Sequence, residues 1–558
     1  MQGPNPRRTH ADMTPAVNLT AAHGAGAVRR QRPVFVDLLP PCNVACAAGE
    51  NIQAWLALAQ AGRHREAWDV LVHDNPLPAV HGRVCYHLCE TACNRGELDA
   101  AVSIHAVERF LGDQAIAAGW TPEPAPPSGQ RVLVVGAGPS GLSAAYHLTR
   151  LGHHVEIHEA GPVAGGMLHF GIPAYRLPRD VLHAEVARIE RMGVVIRLGR
   201  KVDDLLEAKQ RGAFDAVFVA IGAHVSRHAD VPARDAARVL DAIGYLRDVS
   251  AGAAPLLGRR VVVYGGGNTA MDAARTARRL GAEEAVIVYR RDRAHMPAHD
   301  FEADEADAEG VKFRWLTTNK DFSGQALTVE RMNLDADGRP VPTGEFETLA
   351  ADSVVLALGQ ETDSGFLRTV PGIGFKADGT VMVGPDMMTG AAGIFAGGDM
   401  VPSERTVTTA VGHGKKAARH VDAWLRRTAR VEPAKHPVIG FAMLNVPVFS
   451  DALPAEQRVL NGAARLAGFS EVVAGLGEPA ARREAQRCLS CGNCFECDNC
   501  FAACPEQAIE KLGRGRRYRF DYAICTGCAV CYEQCPCHAI EMMAEAELPP
   551  AGPSEPAP

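Results

Sequence analysis

Residues 131 to 160 read "RVLVVGAGPSGLSAAYHLTRLGHHVEIHEA", and this stretch decides the fold of the largest part of the chain. A run of β-formers enters a glycine turn, a helical pattern follows, and a second apolar run ends at Glu159. Gly136, Gly138 and Gly141 stand in the spacing G-x-G-x-x-G. The first glycine permits a tight turn, the second lets the backbone approach a pyrophosphate, and the third lets helix and strand pack closely. The helix N-terminus then offers N–H groups and a positive dipole end to an anion. An acid closing the second strand can accept from the hydroxyls of a ribose. Such a triplet alone is a weak signal, since a glycine turn also serves purely structural ends. Here strand, turn, helix and terminal acid all fall in place, which favours a bound dinucleotide.

A second unit, "RRVVVYGGGNTAMDAARTARRLGAEEAVIVYRR" at 259 to 291, repeats the pattern with Gly265, Gly267 and Ala270. Its second strand ends in Arg290 and Arg291 where an acid stood before. A carboxylate there would repel a 2'-phosphate, whereas guanidinium groups pair with it. That favours NADP(H) over NAD(H), the alternative being a solvated strand end. Two such units, the second set between halves of the first, suggest a flavin enzyme with an inserted nicotinamide domain. "GIFAGGDM" (393 to 400) supports this, because Asp399 can hold a flavin ribityl hydroxyl. The helix beginning near "TVTTAVGHGKKAA" (406 to 418) would aim its positive end at the flavin. Flavin disulfide reductases share this layout but need a redox cysteine pair, and no cysteine lies between residues 94 and 487.

Of the 16 cysteines, five lie between Cys42 and Cys93 and eleven between Cys488 and Cys537. A disulfide framework would not leave the middle of the chain bare, and the C-x2-C spacings favour metal. A reducing, cytoplasmic location follows as the expectation. At 558 residues the chain is long enough for about three to four domains. A net charge of −7 gives no basic field for nucleic acid, and no run of 18 apolar residues suggests a membrane span. Arg7 and Arg8 hint at a twin-arginine signal, but "THADMTPAVNLTAAHGAGAVRR" after them lacks an apolar core and reads as a disordered tail.

The pattern C-x2-C-x2-C-x3-C-P occurs twice in the tail, at Cys494, Cys497, Cys500 and Cys504, and at Cys525, Cys528, Cys531 and Cys535. This is the run of bacterial two-cluster ferredoxins, in which the fourth cysteine of each run ligates the other cluster. One [4Fe–4S] cluster would take Cys494, Cys497, Cys500 and Cys535, the other Cys525, Cys528, Cys531 and Cys504. Zinc also binds C-x2-C pairs, but the doubled run and the two Cys-Pro stops favour clusters.

"GGMLHFGIPAYRLP" (165 to 178), "GGGNTAMDAARTARRLGA" (265 to 282) and "AGGDM" (396 to 400) carry a resemblance that covers residues 41 to 425. The chain resembles the small (beta) subunit of NADPH-dependent glutamate synthase. It is similar also to the NADPH-oxidising half of dihydropyrimidine dehydrogenase and to the large subunit of NADH-dependent ferredoxin:NADP oxidoreductase. The resemblance implies FAD around Gly136, Gly138, Pro139, Ser140, Gly141, Glu159, Gly166, Met167, Gly398, Asp399 and Thr408. It implies NADP(H) around Gly265, Gly267, Asn268, Thr269, Ala270, Arg290 and Arg291. The block "PPCNVACAAGENI" with "GRVCYHLCETACNRGELDAAVSIHAVERF" resembles the family's helical double-cluster module. By that resemblance Cys46, Cys85, Cys89 and Glu108 hold the cluster nearer the flavin. Cys42 and Cys93 are left as two of four ligands for another.

The family's opening R-C-L-x-C pair is missing before "PPC", yet "EAQRCLSC" stands at 484 to 491. Cys488 and Cys491 are expected to fold back and complete a cluster with Cys42 and Cys93; the alternative is a spare or separate pair. Four clusters need about 16 ligands, which fifteen cysteines and Glu108 supply, with Cys537 left over. His295, His299, His413 and His538 have no competing ligand spacing and read as structural.

The expected fold is multidomain. A disordered leader (1–40) precedes a helical iron–sulfur domain (41–125). An FAD-binding domain (126–248 and 350–428) encloses an NAD(P)H-binding domain (249–349), both Rossmann-like α/β of the three-layer ββα type. A linker (429–487), an α+β ferredoxin-like 2[4Fe–4S] domain (488–546) and a disordered tail (547–558) follow. The expected function is an NAD(P)H:acceptor oxidoreductase that moves electrons between NADPH and a ferredoxin or partner subunit, in a hetero-oligomer. The alternative is an NAD(H)-linked acceptor subunit of a 2-oxoacid oxidoreductase, hydrogenase or formate dehydrogenase. A reductase acting on its own organic substrate would need a further domain, and a cluster carrier without catalysis would not need two dinucleotide fingerprints. Because the flavin converts two-electron into one-electron chemistry, no catalytic acid or base is expected.

Overall fold

The computed structural model describes residues 29–226, 233–234, 238–430, 436–513 and 515–545. Its centre is a five-stranded parallel sheet with the spatial order Ile394–Ala396, Ala216–Val219, Arg131–Val135, His154–His158 and Val195–Arg197. The three strands Ile394–Ala396, Ala216–Val219 and Arg131–Val135 are short apolar runs buried on both faces, as a covered parallel sheet requires, whereas His154–His158 and Val195–Arg197 at one edge are partly exposed. The helices Pro139–Arg150 and Val407–Arg426 pack together on it.

A second five-stranded parallel sheet is ordered Lys312–Arg314, Glu284–Val288, Arg260–Tyr264, Ser353–Leu356 and Arg238–Asp241. The helix Asn268–Arg279 covers one face through Ala270, Ala274 and Ala277, packed with Val261 and Val263. On the other face Val262, Val288 and Val354 meet Phe322, Leu327 and Val329 of a mostly antiparallel sheet. The chain leaves the first sheet after Ala216–Val219 and returns to it at Ile394–Ala396.

The boundaries drawn at 248 and 350 are therefore wrong. Arg238–Asp241, the helix Ala242–Ser250 and Ser353–Leu356 all belong to the second sheet's unit. The reason is physical: "DSVVLALGQ" is apolar on both faces, so its pattern announces a buried parallel strand without saying which sheet receives it.

Six helices between Pro41 and Ala118 form the N-terminal unit, with Trp55, Leu56, Leu71, Val107 and Leu111 in its core. That core also takes Ala455, Leu476, Ala481 and Ala485 from the segment read as a linker. The helix Glu478–Gln486 packs on Ile52–Gln60 and Ile104–Ala118. Its buried Glu484 accepts from Ser103 N (2.8 Å) and Ala455 N (2.6 Å). Ala455 and the helix Glu478–Gln486 are thus part of the helical unit rather than of a tether.

The leader needs the same correction where it is described; residues 1–28 and the tail 547–558 lie outside the described residues. Gln31–Phe35 forms a strand paired antiparallel with Ile540–Ala544, Phe35 opposite Ile540. Around that pair the C-terminal unit adds a hairpin of Ile509–Lys511 and Tyr518–Phe520 and the short helices Asn499–Ala503 and Val530–Glu533. Phe35 joins Tyr518, Phe520, Tyr532 and Ile540 in the core of this unit.

Candidate functional site

The glycine turn after Arg131–Val135 opens onto a cavity of about 980 Å³. Gly136, Gly138, Pro139, Ser140, Glu159, Gly166, Met167, Gly398 and Asp399 line it, and Asn268 and Thr269 reach it from the second unit. Gly136 has φ +101°, and a Cβ there would fall 2.5 Å from Ala220 O. A Cβ on Gly138 would meet nothing within 4 Å, so this backbone is open to a ligand. Gly141 does not line the cavity; a Cβ there would lie 1.9 Å from Gly136 O, which makes it the helix–strand packing glycine.

Ser140 Oγ is buried without a hydrogen-bond partner among the described residues, and an orphaned hydroxyl costs about 1–3 kcal/mol. A phosphate at the helix N-terminus would satisfy it, so the residues fit a dinucleotide. Glu159 spends one lone pair of each oxygen on the turn itself, accepting from Ala137 N and Gly161 N at 2.7 Å each. Burial pushes the carboxyl of Asp399 up to about 6, against the pull of Arg405. Arg200, Lys201, Arg405 and Tyr86 also line the cavity and were not anticipated. Arg200 and Lys201 follow Glu159 only through a cross-strand neighbour, which no local motif reveals.

In the second unit Gly265 is forced, since a Cβ would fall 2.3 Å from Ala357 O, while Gly267 faces open space. Ala270 is buried in the helix–sheet core. Asn268 is held at both ends: Nδ2 donates to Tyr86 Oη (2.6 Å) and Oδ1 accepts from His299 N (3.0 Å). Arg290 and Arg291 follow the strand Glu284–Val288, as the 2'-phosphate argument requires, but lie outside the cavity's lining. Neither makes an ion pair among the described residues, and Arg291 Nε is buried without a partner. The two units are clamped by Arg176, which pairs with Asp272 (2.8 Å) and Glu302 (2.6 Å). His299 stacks on Tyr86, and His413 Nδ1 accepts from Gly398 N, so both pack beside the nucleotide turns.

Thr408 is a correction. It does not line the cavity, which Thr406, Val407 and Ala410 do instead. Its hydroxyl donates to Cys85 Sγ at 3.1 Å. Successive helical residues are rotated by about 100°, so a helix aimed at the cavity turns its second residue elsewhere.

Cys85 lies with Cys46, Cys89 and Glu108 in one buried pocket. Burial first, then the charge of Glu50 beside Cys46 and Glu108 and of Glu90 beside Cys89, and after these the groups' own repulsion, raise Cys46, Cys89 and Glu108 above their ordinary values. Glu108 Oε1 accepts from Asn75 Nδ2 at 2.7 Å. Cys42, Cys93, Cys488 and Cys491 form a second set. Burial and then the charges of Cys488, Cys93 and Cys491 push the Cys42 thiol up; Cys488 is pushed to about 12 and Cys491 to about 11. Backbone and side-chain N–H groups point at these sulfurs, Ser490 N at Cys488 and Asn94 Nδ2 at Cys491, each at 3.4 Å.

Arg487, buried beside Cys488, fixes this return of the chain. It donates to Ala100 O (2.6 Å), Ala101 O (3.0 Å) and Ala452 O (3.0 Å) and pairs with Glu484 and Asp99.

In the tail Cys494, Cys497, Cys500 and Cys535 repel one another in one group. Cys504, Cys525, Cys528 and Cys531 line one small cavity with Pro33. The two crossing cysteines have matched supports: Ala508 N donates to Cys504 Sγ (3.3 Å) and Ala539 N to Cys535 Sγ (3.2 Å), four residues on in each case. Cys537 is buried with its sulfur 3.8 Å from Cys535 Sγ. Four-sulfur sets of this kind, and a three-sulfur set with a carboxylate, suit iron–sulfur clusters. Among the described residues no helix is long and apolar enough to cross a membrane.

A flavin-sized cavity, a nicotinamide unit beside it and grouped thiols at both ends define a flavin- and iron–sulfur-dependent pyridine-nucleotide oxidoreductase. Residues 130–414 match the pyridine nucleotide-disulphide oxidoreductase family, 36–120 the 4Fe-4S domain II of dihydropyrimidine dehydrogenase, and 493–539 a 4Fe-4S dicluster domain. The chain belongs to the pyridine nucleotide-disulphide oxidoreductase family, as an NAD(P)H-dependent member with FAD and [4Fe–4S] clusters. It is 38% identical over 501 residues to the beta subunit of the NADP(+)-dependent formate dehydrogenase of Moorella thermoacetica, covering 81% of this chain and 70% of that one. It is 36% identical to the beta subunit of the NADPH-Fe(3+) oxidoreductase of Geobacter sulfurreducens, covering 82% and 76%. The small chain of Escherichia coli NADPH glutamate synthase is 33% identical, covering 69% and 89%.

Proposed function

We propose that this chain is the pyridine-nucleotide subunit of a larger redox complex, linking NADPH to a partner subunit or ferredoxin through four [4Fe–4S] clusters. FAD in the cavity would supply the conversion between hydride transfer and single-electron transfer. Gly138, Ser140 and the helix start would seat its pyrophosphate, Glu159 its ribose and Asp399 its ribityl chain. Asn268, Thr269 and the amides of the second helix start would receive the nucleotide's pyrophosphate, with Arg290 and Arg291 at a 2'-phosphate. Cys46, Cys85, Cys89 and Glu108 would hold the first cluster. Cys42, Cys93, Cys488 and Cys491 would hold the second, and the two tail sets the third and fourth.

The observation that carries this reading is the meeting of Cys42 and Cys93 with Cys488 and Cys491. It joins thiols about 400 residues apart in sequence into a four-sulfur set between the flavin-side pocket and the tail. Formate and ferric iron appear in the names of two relatives, each a beta subunit. By analogy the terminal chemistry here would lie on a partner. Iron analysis of the Cys488→Ser/Cys491→Ser variant tests the reading. Loss of about four of roughly sixteen irons per chain, with FAD retained, is expected; undiminished iron overturns it.

A further inference from the structure

The helix Val407–Arg426 has two jobs on two faces. Thr406, Val407 and Ala410 at its start line the flavin-sized cavity. Thr408, Gly412 and Lys415, spaced i, i+4 and i+7 on one stripe, face the N-terminal helical unit instead. A Cβ on Gly412 would fall 2.0 Å from Ala47 O, so the helix rests directly on the loop after Cys46. Lys415 Nζ donates to Ala48 O (2.8 Å) and Gly49 O (2.7 Å) and pairs with Asp74. Thr408 completes the stripe, its buried hydroxyl 3.1 Å from Cys85 Sγ. Among the described residues the other donor to that sulfur is a backbone amide, His87 N at 3.4 Å.

We infer that Thr408 sets the reduction potential of the cluster held by Cys85, by donating its hydroxyl hydrogen to the Cys85 sulfur. The inference rests on the proposed role of Cys85 as a ligand. A hydrogen bond to a cluster thiolate is stronger when the cluster carries the extra electron, so the donor stabilises the reduced state and raises the potential. The amide of His87 is present whatever side chain stands there, so the hydroxyl is the part of this support that the sequence sets. Because it sits on the helix that also lines the flavin cavity, flavin and first electron acceptor are positioned by one rigid element. Thr408 is thus a positioning residue, acting through Cys85.

The test compares Thr408→Val, which keeps the shape and removes the donor, with Thr408→Ser, which keeps the donor. Both are purified anaerobically as full chains and analysed for iron, sulfide and FAD, then titrated by EPR-monitored reduction. A Cys85→Ala variant identifies the signal that belongs to this cluster by losing it, together with about four irons. Thr408→Val is expected to keep parental iron and FAD while that one signal moves to lower potential, and Thr408→Ser to restore it. An unmoved signal in Thr408→Val, with Cys85→Ala iron-depleted, overturns the inference while leaving the ligand assignment standing. Full iron in Cys85→Ala overturns the ligand assignment, and the inference falls with it. Loss of FAD from Thr408→Val but not from Thr408→Ser would return Thr408 to the flavin site and also overturn it.

Discussion

Arg290 and Arg291 carry the sequence argument for NADP(H) over NAD(H). Both residues follow the second strand of the nicotinamide unit, directly after Tyr289, whose ring lies against Gly266, and neither is spent on an ion pair among the described residues. Cations left free at that position suit a 2'-phosphate, and a charge-assisted hydrogen bond is worth about 1.5–3 kcal/mol. Arg290→Ala is therefore expected to raise the KM for NADPH by roughly tenfold or more while leaving the KM for NADH near its parental value. Steady-state reduction of an artificial acceptor with each nucleotide measures this; equal losses for both nucleotides would refute it. The glycines here were legible because each is imposed by a nearby backbone atom: Ala220 O at Gly136, Gly136 O at Gly141, Ala357 O at Gly265. Thr408 was not, because a motif marks where a helix begins but leaves open which of its first residues turns towards which neighbour.

Among the elements, the strand Gln31–Phe35 was invisible to local pattern. It is five residues long, contains Pro33, and its partner Ile540–Ala544 lies about 500 positions away. Its role is nevertheless specific. Pro33 lines the small cavity of Cys504, Cys525, Cys528 and Cys531. Gln31 O occupies the place a Cβ on Gly527 would take, at 2.2 Å. Arg29 donates to Tyr522 O (2.6 Å) and Cys525 O (3.3 Å). The strand Gln31–Phe35 thus walls one thiol set of the C-terminal unit. A chain shortened to begin at residue 29 is expected to keep its full iron, whereas one beginning at residue 37 should lose iron from the tail. Its remaining tail iron should also bleach faster in air, read by absorbance at anaerobic and aerobic intervals. Equal iron and equal bleaching in the two shortened chains would show that the strand shields nothing. The helix Glu478–Gln486 was misread for a related reason: Ala481 and Ala485 make a thin apolar stripe whose partners lie far back in the sequence.

Among the described residues the chain closes on itself, Gln31–Phe35 pairing with Ile540–Ala544, and Arg487 shows how the return of residues 478–491 to the N-terminal helical unit is held. A buried guanidinium is tolerated only where its donors are spent, and this one is spent on Asp99, Ala100, Ala101, Ala452 and Glu484. Arg95 in turn donates to Arg487 O at 3.2 Å. These contacts belong to the N-terminal helical unit and the segment packed on it, and the residue they fix stands immediately before Cys488. Replacing Arg487 by Met keeps much of the volume but leaves Glu484 and Asp99 without this partner, a loss of about 3–5 kcal/mol for a buried pair. The flavin cavity draws on none of these groups. Arg487→Met is therefore expected to bind FAD and to be bleached by NADPH as fast as the parent in anaerobic stopped-flow. The iron proposed for Cys42, Cys93, Cys488 and Cys491 should be lost, and reduction of the tail centres by NADPH should slow by a large factor. Dithionite should still reduce those tail centres, because their own ligands are untouched. A variant that passes electrons from NADPH to the tail at the parental rate would mean that current reaches the tail without the centre proposed at Cys42, Cys93, Cys488 and Cys491.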